Sequence, residues 1–410
     1  IHNLLALAEL LKQKSLYKHA LKKLNRARET AILYEKQYAL LEILEAQRRL
    51  LKQMPSSNHE KELSENNNEK SVCLEKVKNE DHYAQLNDKV FLLYRQLNLL
   101  REQSKLEELE QIMLCPSLQY QEQALTFDSK LKFHGIHAHY NQLKGDFNKA
   151  LLHRENVIKI LGENPHQITE APQRYRSELA NLLAVRHLTG NYEGFEELLK
   201  KIEEVREGNL EENAFTFREV VPLKQLYLLN NNRMEEAYEL IPEIKKGLET
   251  FTEHINPVRL HSFWFNNAIT CLLTANYKEA LPWVELILSP GIDKKVRSDL
   301  RDFTYILELI LHYEIQNSVA QKHNLLESKL HNARKRLHYN NKLSEFITIV
   351  LENIKLLIKA TDKAEQKHGI FNNFKQQLQT LAAKSGKAMP AGRHEKITGL
   401  DEVIAWIKNK

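Results

Sequence analysis

One short turn recurs along this chain and constrains its fold more than any other feature. Lys144-Gly145-Asp146-Phe147-Asn148-Lys149-Ala150 is followed by Thr189-Gly190-Asn191-Tyr192-Glu193-Gly194-Phe195. Asn231-Asn232-Arg233-Met234-Glu235-Glu236-Ala237 and Thr274-Ala275-Asn276-Tyr277-Lys278-Glu279-Ala280 come next. The apolar anchors Phe147, Tyr192, Met234 and Tyr277 stand 45, 42 and 43 residues apart. An earlier copy, Lys14-Ser15-Leu16-Tyr17-Lys18-His19-Ala20, lies 130 residues before Phe147, about three periods, which leaves room for two degenerate units. One of these is expected around Gln103-Ser104-Lys105-Leu106. Gly or Asn takes the left-handed conformation that ends one helix and opens the next. The large apolar residue plugs the elbow, and Ala at the crossing lets the second helix approach the first. A helix pair cannot bury its apolar faces alone, so such pairs stack and share a core.

The fold class expected is therefore all-α, an α-α superhelix of antiparallel helix pairs. Composition agrees: 12 Gly and 10 Pro in 410 residues are too few for the tight turns of a sandwich or an α/β enzyme. The 28% charged residues and the mean hydropathy of −0.52 fit an extended array with much surface for its core.

At these residues the turn resembles the tetratricopeptide repeat. The best single unit runs from Trp264 to Pro290, with Trp264, Ala268 and Cys271 on the first helix and Asn276-Tyr277 at the turn. Ala280, Val284 and Ile287 lie on its second helix, and Pro290 closes it. The resemblance spans residues 130–290 and, less completely, 1–31. The period exceeds the family's usual 34 residues or so, as in the long-period variants common among bacterial regulatory and scaffold proteins. It implies a cytoplasmic, non-enzymatic scaffold whose concave groove binds a protein or peptide partner, with no cofactor. Lys132, His139, Arg176, His187, Arg218, Arg259, Phe265 and Asn266 would contribute to that groove. Gripping a chaperone's terminal carboxylate requires a set of Lys and Asn residues, of which only Asn266 is matched.

The chain divides into N-terminal helices over 1–54, a Glu/Asn-rich loop or solvated helix over 55–81, and repeats over 82–290. Divergent helices over 291–384 cap the array, and a linker with a short terminal helix fills 385–410. That last helix either docks back or reaches for a partner. A helix is expected over about 82–102 and a long one over 118–143. Pro222, Pro242 and Pro282 should kink or restart their helices.

Little points to catalysis. No phosphate-loop, nucleophile-elbow, zinc-protease or calcium-loop signature occurs. His134 and His137 share a helical face with His139 beside them and His153 one helix away, but no carboxylate or thiol completes a metal site at helical spacing, and structural histidines are favoured. The pairs His254/His261 and His331/His338 are too far apart to ligate together. Arg176, Arg218 and Arg259 recur at 42 and 41 residues, either as a row facing an acidic or phosphorylated segment or paired with Glu178 and Glu219. Lys329, Arg334, Lys335, Arg336 and Lys342 read as a solvated face, with a nucleic-acid or membrane-surface patch as the weaker alternative.

The net charge of +5 is well mixed, which disfavours a dedicated nucleic-acid binder. Cys73, Cys115 and Cys271 are widely spaced, as expected of unpaired thiols in a reducing compartment. No apolar run is long enough to cross a bilayer, so no membrane partner is expected. Ile1–Leu11 is a poor signal peptide because Glu9 interrupts it, and a start on Ile leaves open a preceding segment. A second functional reading is a peptide- or ligand-gated regulator of a transcription factor or phosphatase, suggested by the separate three-helix start.

Overall fold

A computed structural model describes residues 1–54, 58–99, 103–204, 209–289, 298–317, 323–339, 345–360, 364–387, 399–408 and 410. No strand occurs among the described residues. The chain forms two compact units, residues 1–185 and 186–410.

The first unit contains α1 (His2–Gln13), α2 (Tyr17–Leu33), α3 (Gln37–Leu51), α4 (His59–Leu99), α5 (Gln103–Met113), α6 (Phe127–Lys144), α7 (Phe147–Glu163), α8 (Pro165–Glu170) and most of α9 (Pro172–Thr189). Each of α1 to α4 packs on the next, and α6 packs on α4 and α7. The spacing of buried positions explains this. In α2, Ala20, Leu24, Ala27 and Ala31 recur every three or four residues and so form one face. They meet Leu40, Ile43 and Leu44 of α3 in one cluster.

The second unit contains α10 (Phe195–Glu204), α11 (Leu210–Asn230), α12 (Met234–Glu239), α13 (Ile241–Phe251), α14 (Pro257–Leu273), α15 (Tyr277–Leu288), α16 (Ser298–Asn317), α17 (His323–Tyr339), α18 (Glu345–Lys359), α19 (Ala364–Lys387) and α20 (Leu400–Lys408). One continuous core runs from Phe217 to Ile407. α20 docks inward: Trp406 packs edge-on against Phe371 and Phe374, and its Nε1 donates to Glu314 at 2.9 Å. Of the two readings of the terminal helix, docking back is the one observed.

The recurrent turn has a single backbone mechanism. Ser15, Glu35, Gly145, Gly190, Asn232 and Ala275 all have positive φ. Each donates its N–H to the carbonyl three residues back, and the next residue donates to the carbonyl five back. These bonds span 2.8–3.2 Å and make a Schellman closure, which satisfies helix-end carbonyls otherwise left without donors. Five residues after the left-handed residue comes a buried side chain: Ala20, Leu40, Ala150, Phe195, Ala237 or Ala280. The turn at Glu35 belongs to this set without any Gly or Asn, and it follows the turn at Ser15 by only 20 residues. Near residue 103 the expected turn is not seen; Gln103–Leu106 opens α5, and residues 100–102 lie outside the described set.

Some boundaries differ from expectation. Of the two alternatives for 55–81, a loop or a solvated helix, a helix is observed over 59–81, and it is continuous with the helix expected from 82 rather than separate from it. It is anchored by Cys73, which joins the α1–α3 core, and by buried Asn66, whose Nδ2 donates to the Leu44 carbonyl at 3.1 Å. The helix expected from 118 starts only at Phe127. Thr126 has an extended backbone and its hydroxyl accepts the Ser129 N–H, which sets the start there. Pro242 restarts a helix at α13, whereas Pro222 and Pro282 remain inside α11 and α15. α19 continues to Lys387, past the expected linker start at 385; residues 388–398, with Pro290, Gly291 and Lys342, lie outside the described residues. No helix among the described residues is long and apolar enough to cross a membrane.

Candidate functional site: a carboxylate-lined cleft in the first unit

A cleft of about 760 Å³ opens between the α2–α3 turn, the face of α4, the start of α6 and helix α8. The left-handed turn at Glu35 swings its side chain across the gap, where the carboxylate accepts the Phe127 N–H at 2.9 Å. α8 closes the far side. Gln167 Nε2 donates to the Tyr34 carbonyl at 3.1 Å, His166 meets the Tyr34 ring edge-on, and Lys36 pairs with Glu170 at 2.8 Å. These ties join parts of the chain more than 90 residues apart, so the cleft is a product of the fold.

Carboxylates predominate in its lining. Glu35, Glu42, Glu80, Asp128 and Glu170 face it, and Lys36, His2 and Ile1 are also among its lining residues. Glu170 is paired with Lys36, and Asp128 takes a 2.6 Å bond from Arg174. Among the described residues, Glu35, Glu42 and Glu80 have no ion-pair partner within 4 Å. Burial raises the affinity of Glu80 for a proton, against a hydrogen bond from Thr126 and the charge of Lys132. Tyr38 stands on the lip with 62% of its surface exposed.

The residues singled out in the sequence do not converge on this cleft. Lys132 lies on α6, half-exposed and near enough for its charge to act on Glu80. His139 is held between Tyr94 and Phe91, with ring centroids at 4.6 and 6.3 Å, and burial drives its pKa down to about 3. Arg176, Phe265 and Asn266 were expected on an open groove but are only 3%, 6% and 7% exposed. Phe265 belongs to the second unit's core beside Phe303, because α14 is surrounded by α11, α12, α15, α16 and α20 and has little open face. His187 Nδ1 lies 2.9 Å from the Tyr192 hydroxyl.

In the second unit Arg218 and Arg259 bind one carboxylate, Glu219, and Arg259 also donates to the Arg218 carbonyl at 3.3 Å. That is the pairing alternative weighed for them. In the first unit Glu178 takes a bond from Arg154 at 3.3 Å. Three of the late basic residues are likewise engaged: Lys329 with Glu308, Arg334 with Glu352, and Arg336 over the Tyr305 ring at 5.0 Å.

The chain was compared with protein-family models, with curated proteins and with solved structures. It matches none of them.

The histidines do form a cluster. His134 Nδ1 and His153 Nδ1 are 3.0 Å apart, His137 stacks on His153 at 4.8 Å, and His137 Nε2 donates to the Leu118 carbonyl at 2.9 Å. One ring of the His134–His153 pair must be neutral to accept from the other. Burial lowers the pKa of His134 to about 4 and of His153 to about 3. Among the described residues no three His, Cys, Asp or Glu groups converge to hold a metal ion.

A second polar group escaped sequence reading. His82 Nε2 lies 2.8 Å from the Ser117 hydroxyl, with the Cys115 thiol 3.2 Å from that hydroxyl. Nucleophilic catalysis needs a third group to orient the imidazole through its other nitrogen. Among the described residues His82 Nδ1 has no such partner. The three cysteines are unpaired; Cys73 and Cys271 are buried, and burial pushes the Cys271 thiol up to about 12.

Proposed function

We propose that this chain is a non-enzymatic interaction protein of tetratricopeptide-like architecture, whose helix pairs stack into a curved solenoid and bind a segment of a partner protein. The observation that carries this reading is the cleft. It is walled by one of the chain's recurrent Schellman turns and is large enough to take several side chains, since sites for small ligands span roughly 300–1,000 Å³. Helix pairs joined by such turns favour recognition by a preformed surface, because the packed elements pay their ordering cost on folding rather than on binding.

The regulator alternative drew on a separate N-terminal module. Helix α4 runs unbroken from His59 to Leu99 and packs on both α3 and α6, so that motivation falls away.

The test is site-specific photo-crosslinking in the cells that make the protein. A photoreactive side chain in place of Tyr38, on the cleft lip, should give a discrete covalent polypeptide adduct. The same probe in place of exposed Leu152, on α7, should not. Equal labelling at both positions, or no polypeptide adduct at position 38, would overturn the proposal.

A further inference from the structure

The cleft's chemistry points to one class of occupant, and this inference rests on the interaction reading above. We infer that the cleft receives a basic peptide segment, one that presents Lys or Arg side chains to Glu35, Glu42 and Glu80.

Three observations lead there. The first is charge: these carboxylates have no ion-pair partner among the described residues. A neighbouring cation would offset the desolvation that Glu80 already suffers. The anionic lining repels a nucleic-acid backbone or an acidic peptide by the same argument.

The second is spacing. The carboxylates come from the α2–α3 turn, from α3 and from α4, and among the described residues no trio of acidic, His or Cys side chains converges on one point. A single divalent ion needs its oxygen ligands within about 2.0–2.6 Å of one centre. Separated carboxylates instead match cations spaced along an extended chain.

The third is the wall material. Tyr34 and Tyr38 supply aromatic surface beside the carboxylates, and Tyr38 is mostly open to solvent. Aromatic faces with nearby carboxylates suit the apolar stem and cationic head of Lys or Arg better than a compact inorganic cation.

The inference is tested by selecting random 12-residue peptides displayed on phage against the full chain, at low and at physiological salt. The Glu35→Gln/Glu42→Gln/Glu80→Gln variant serves for comparison. At position 35 the amide keeps an oxygen to accept from Phe127, and at position 80 a neutral amide has no charge to desolvate, so this variant should fold. Its far-UV circular dichroism and thermal midpoint check that; the Glu42→Gln/Glu80→Gln pair replaces it if they differ.

The expected result is a selected pool enriched in Lys and Arg and depleted in Asp and Glu. Its binding should fall about tenfold or more in the variant and weaken with salt. Enrichment of neutral or acidic peptides whose capture is lost in Tyr38→Ala would overturn the cationic occupant while leaving the interaction reading intact. Basic peptides bound equally by the variant would overturn the inference too, because the binding would lie elsewhere. No enrichment at all would count against both.

Discussion

The Glu35 carboxylate accepts the main-chain N–H of Phe127 at 2.9 Å, across 92 residues of sequence. Phe127 is the first residue of α6, whose leading N–H groups have no partner within the helix. Glu35 thus has two tasks. Its backbone closes the α2–α3 turn with φ at 48°, and its side chain ties that turn to the next helix pair while forming one wall of the cleft.

Removing the side chain should separate those tasks. Glu35→Ala loses the acceptor and keeps the unfavourable φ, so it should destabilise the first unit by about 0.5–2 kcal/mol, the range for a lost helix cap. Glu35→Gly loses the same acceptor but relieves about 1–2 kcal/mol of left-handed strain, and should be less harmful. Hydrogen exchange of the first turn of α6 distinguishes the variants. Equal protection in wild type and Glu35→Ala would show that the bond contributes nothing.

A second prediction concerns Gly247 on α13. A Cβ there would sit 2.1–2.6 Å from the ring of Phe217, itself stacked on Phe263 at 5.0 Å. Gly247→Ala gains about 1 kcal/mol of helix propensity but should lose more through overpacking, about 1–3 kcal/mol. Trp264, Trp283 and Trp406 all lie in the second unit, so tryptophan fluorescence during urea unfolding reads this change directly. Phe217→Leu should restore part of the loss in the double variant. A Gly247→Ala protein as stable as wild type would contradict the packing described.

The second unit should also depend on its last helix. Glu314 is 6% exposed and accepts from Trp406 Nε1 at 2.9 Å and from Lys410 Nζ at 2.7 Å. Trp406→Phe keeps most of the packing and forfeits one charge-assisted bond, a loss of about 1.5–3 kcal/mol. Trp406→Ala should cost about 3–5 kcal/mol through the cavity it leaves. Fluorescence of Trp264 and Trp283 follows both variants; an unaltered unfolding midpoint in Trp406→Ala would mean that α20 is not docked.

Acid should loosen the first unit through its buried histidines. Unfolded histidines take up a proton near pH 6.5, while burial holds the folded pKa of His134 at about 4 and of His139 and His153 at about 3. Between those limits the unfolded state binds more protons. Stability present above about pH 6.5 is therefore lost as pH falls toward 4, by up to about 1.4 kcal/mol per pH unit for each histidine. Arg154 adds like charge beside His139 and His153, and His137 does so beside His134 and His153. Thermal midpoints between pH 7 and 5 should fall more steeply in wild type than in His134→Gln/His153→Gln. Parallel slopes would remove the cluster as the cause.

Much of the helical framework was legible because a turn ending in Gly or Asn, followed by an apolar plug and a buried Ala, is a local signal. Gly145, Gly190 and Asn232 announce it. Glu35 does not, since its residue type rarely adopts positive φ and only the tertiary bond to Phe127 reveals why it sits there. The continuity of α4 was hidden for a similar reason. Its 59–81 half is mostly polar, yet Asn66, Cys73 and the Lys70–Glu45 pair anchor it on α3.

The site was less legible. Arg176, Phe265 and Asn266 stand on first helices that would line a groove in a regular array, but the packing around those helices buries them. The cleft's carboxylates without an ion-pair partner among the described residues come from residues 35, 42 and 80, with no shared period to mark them.

The central claim, that a partner segment is held in this cleft, is tested most directly by hydrogen–deuterium exchange of the full chain with and without a peptide selected on it. The amides of residues 34–42 and 166–171, which form opposite walls, should exchange more slowly when the peptide is bound. α10 to α20 should be unchanged. Protection confined to the second unit, or none at residues 34–42, would contradict the account.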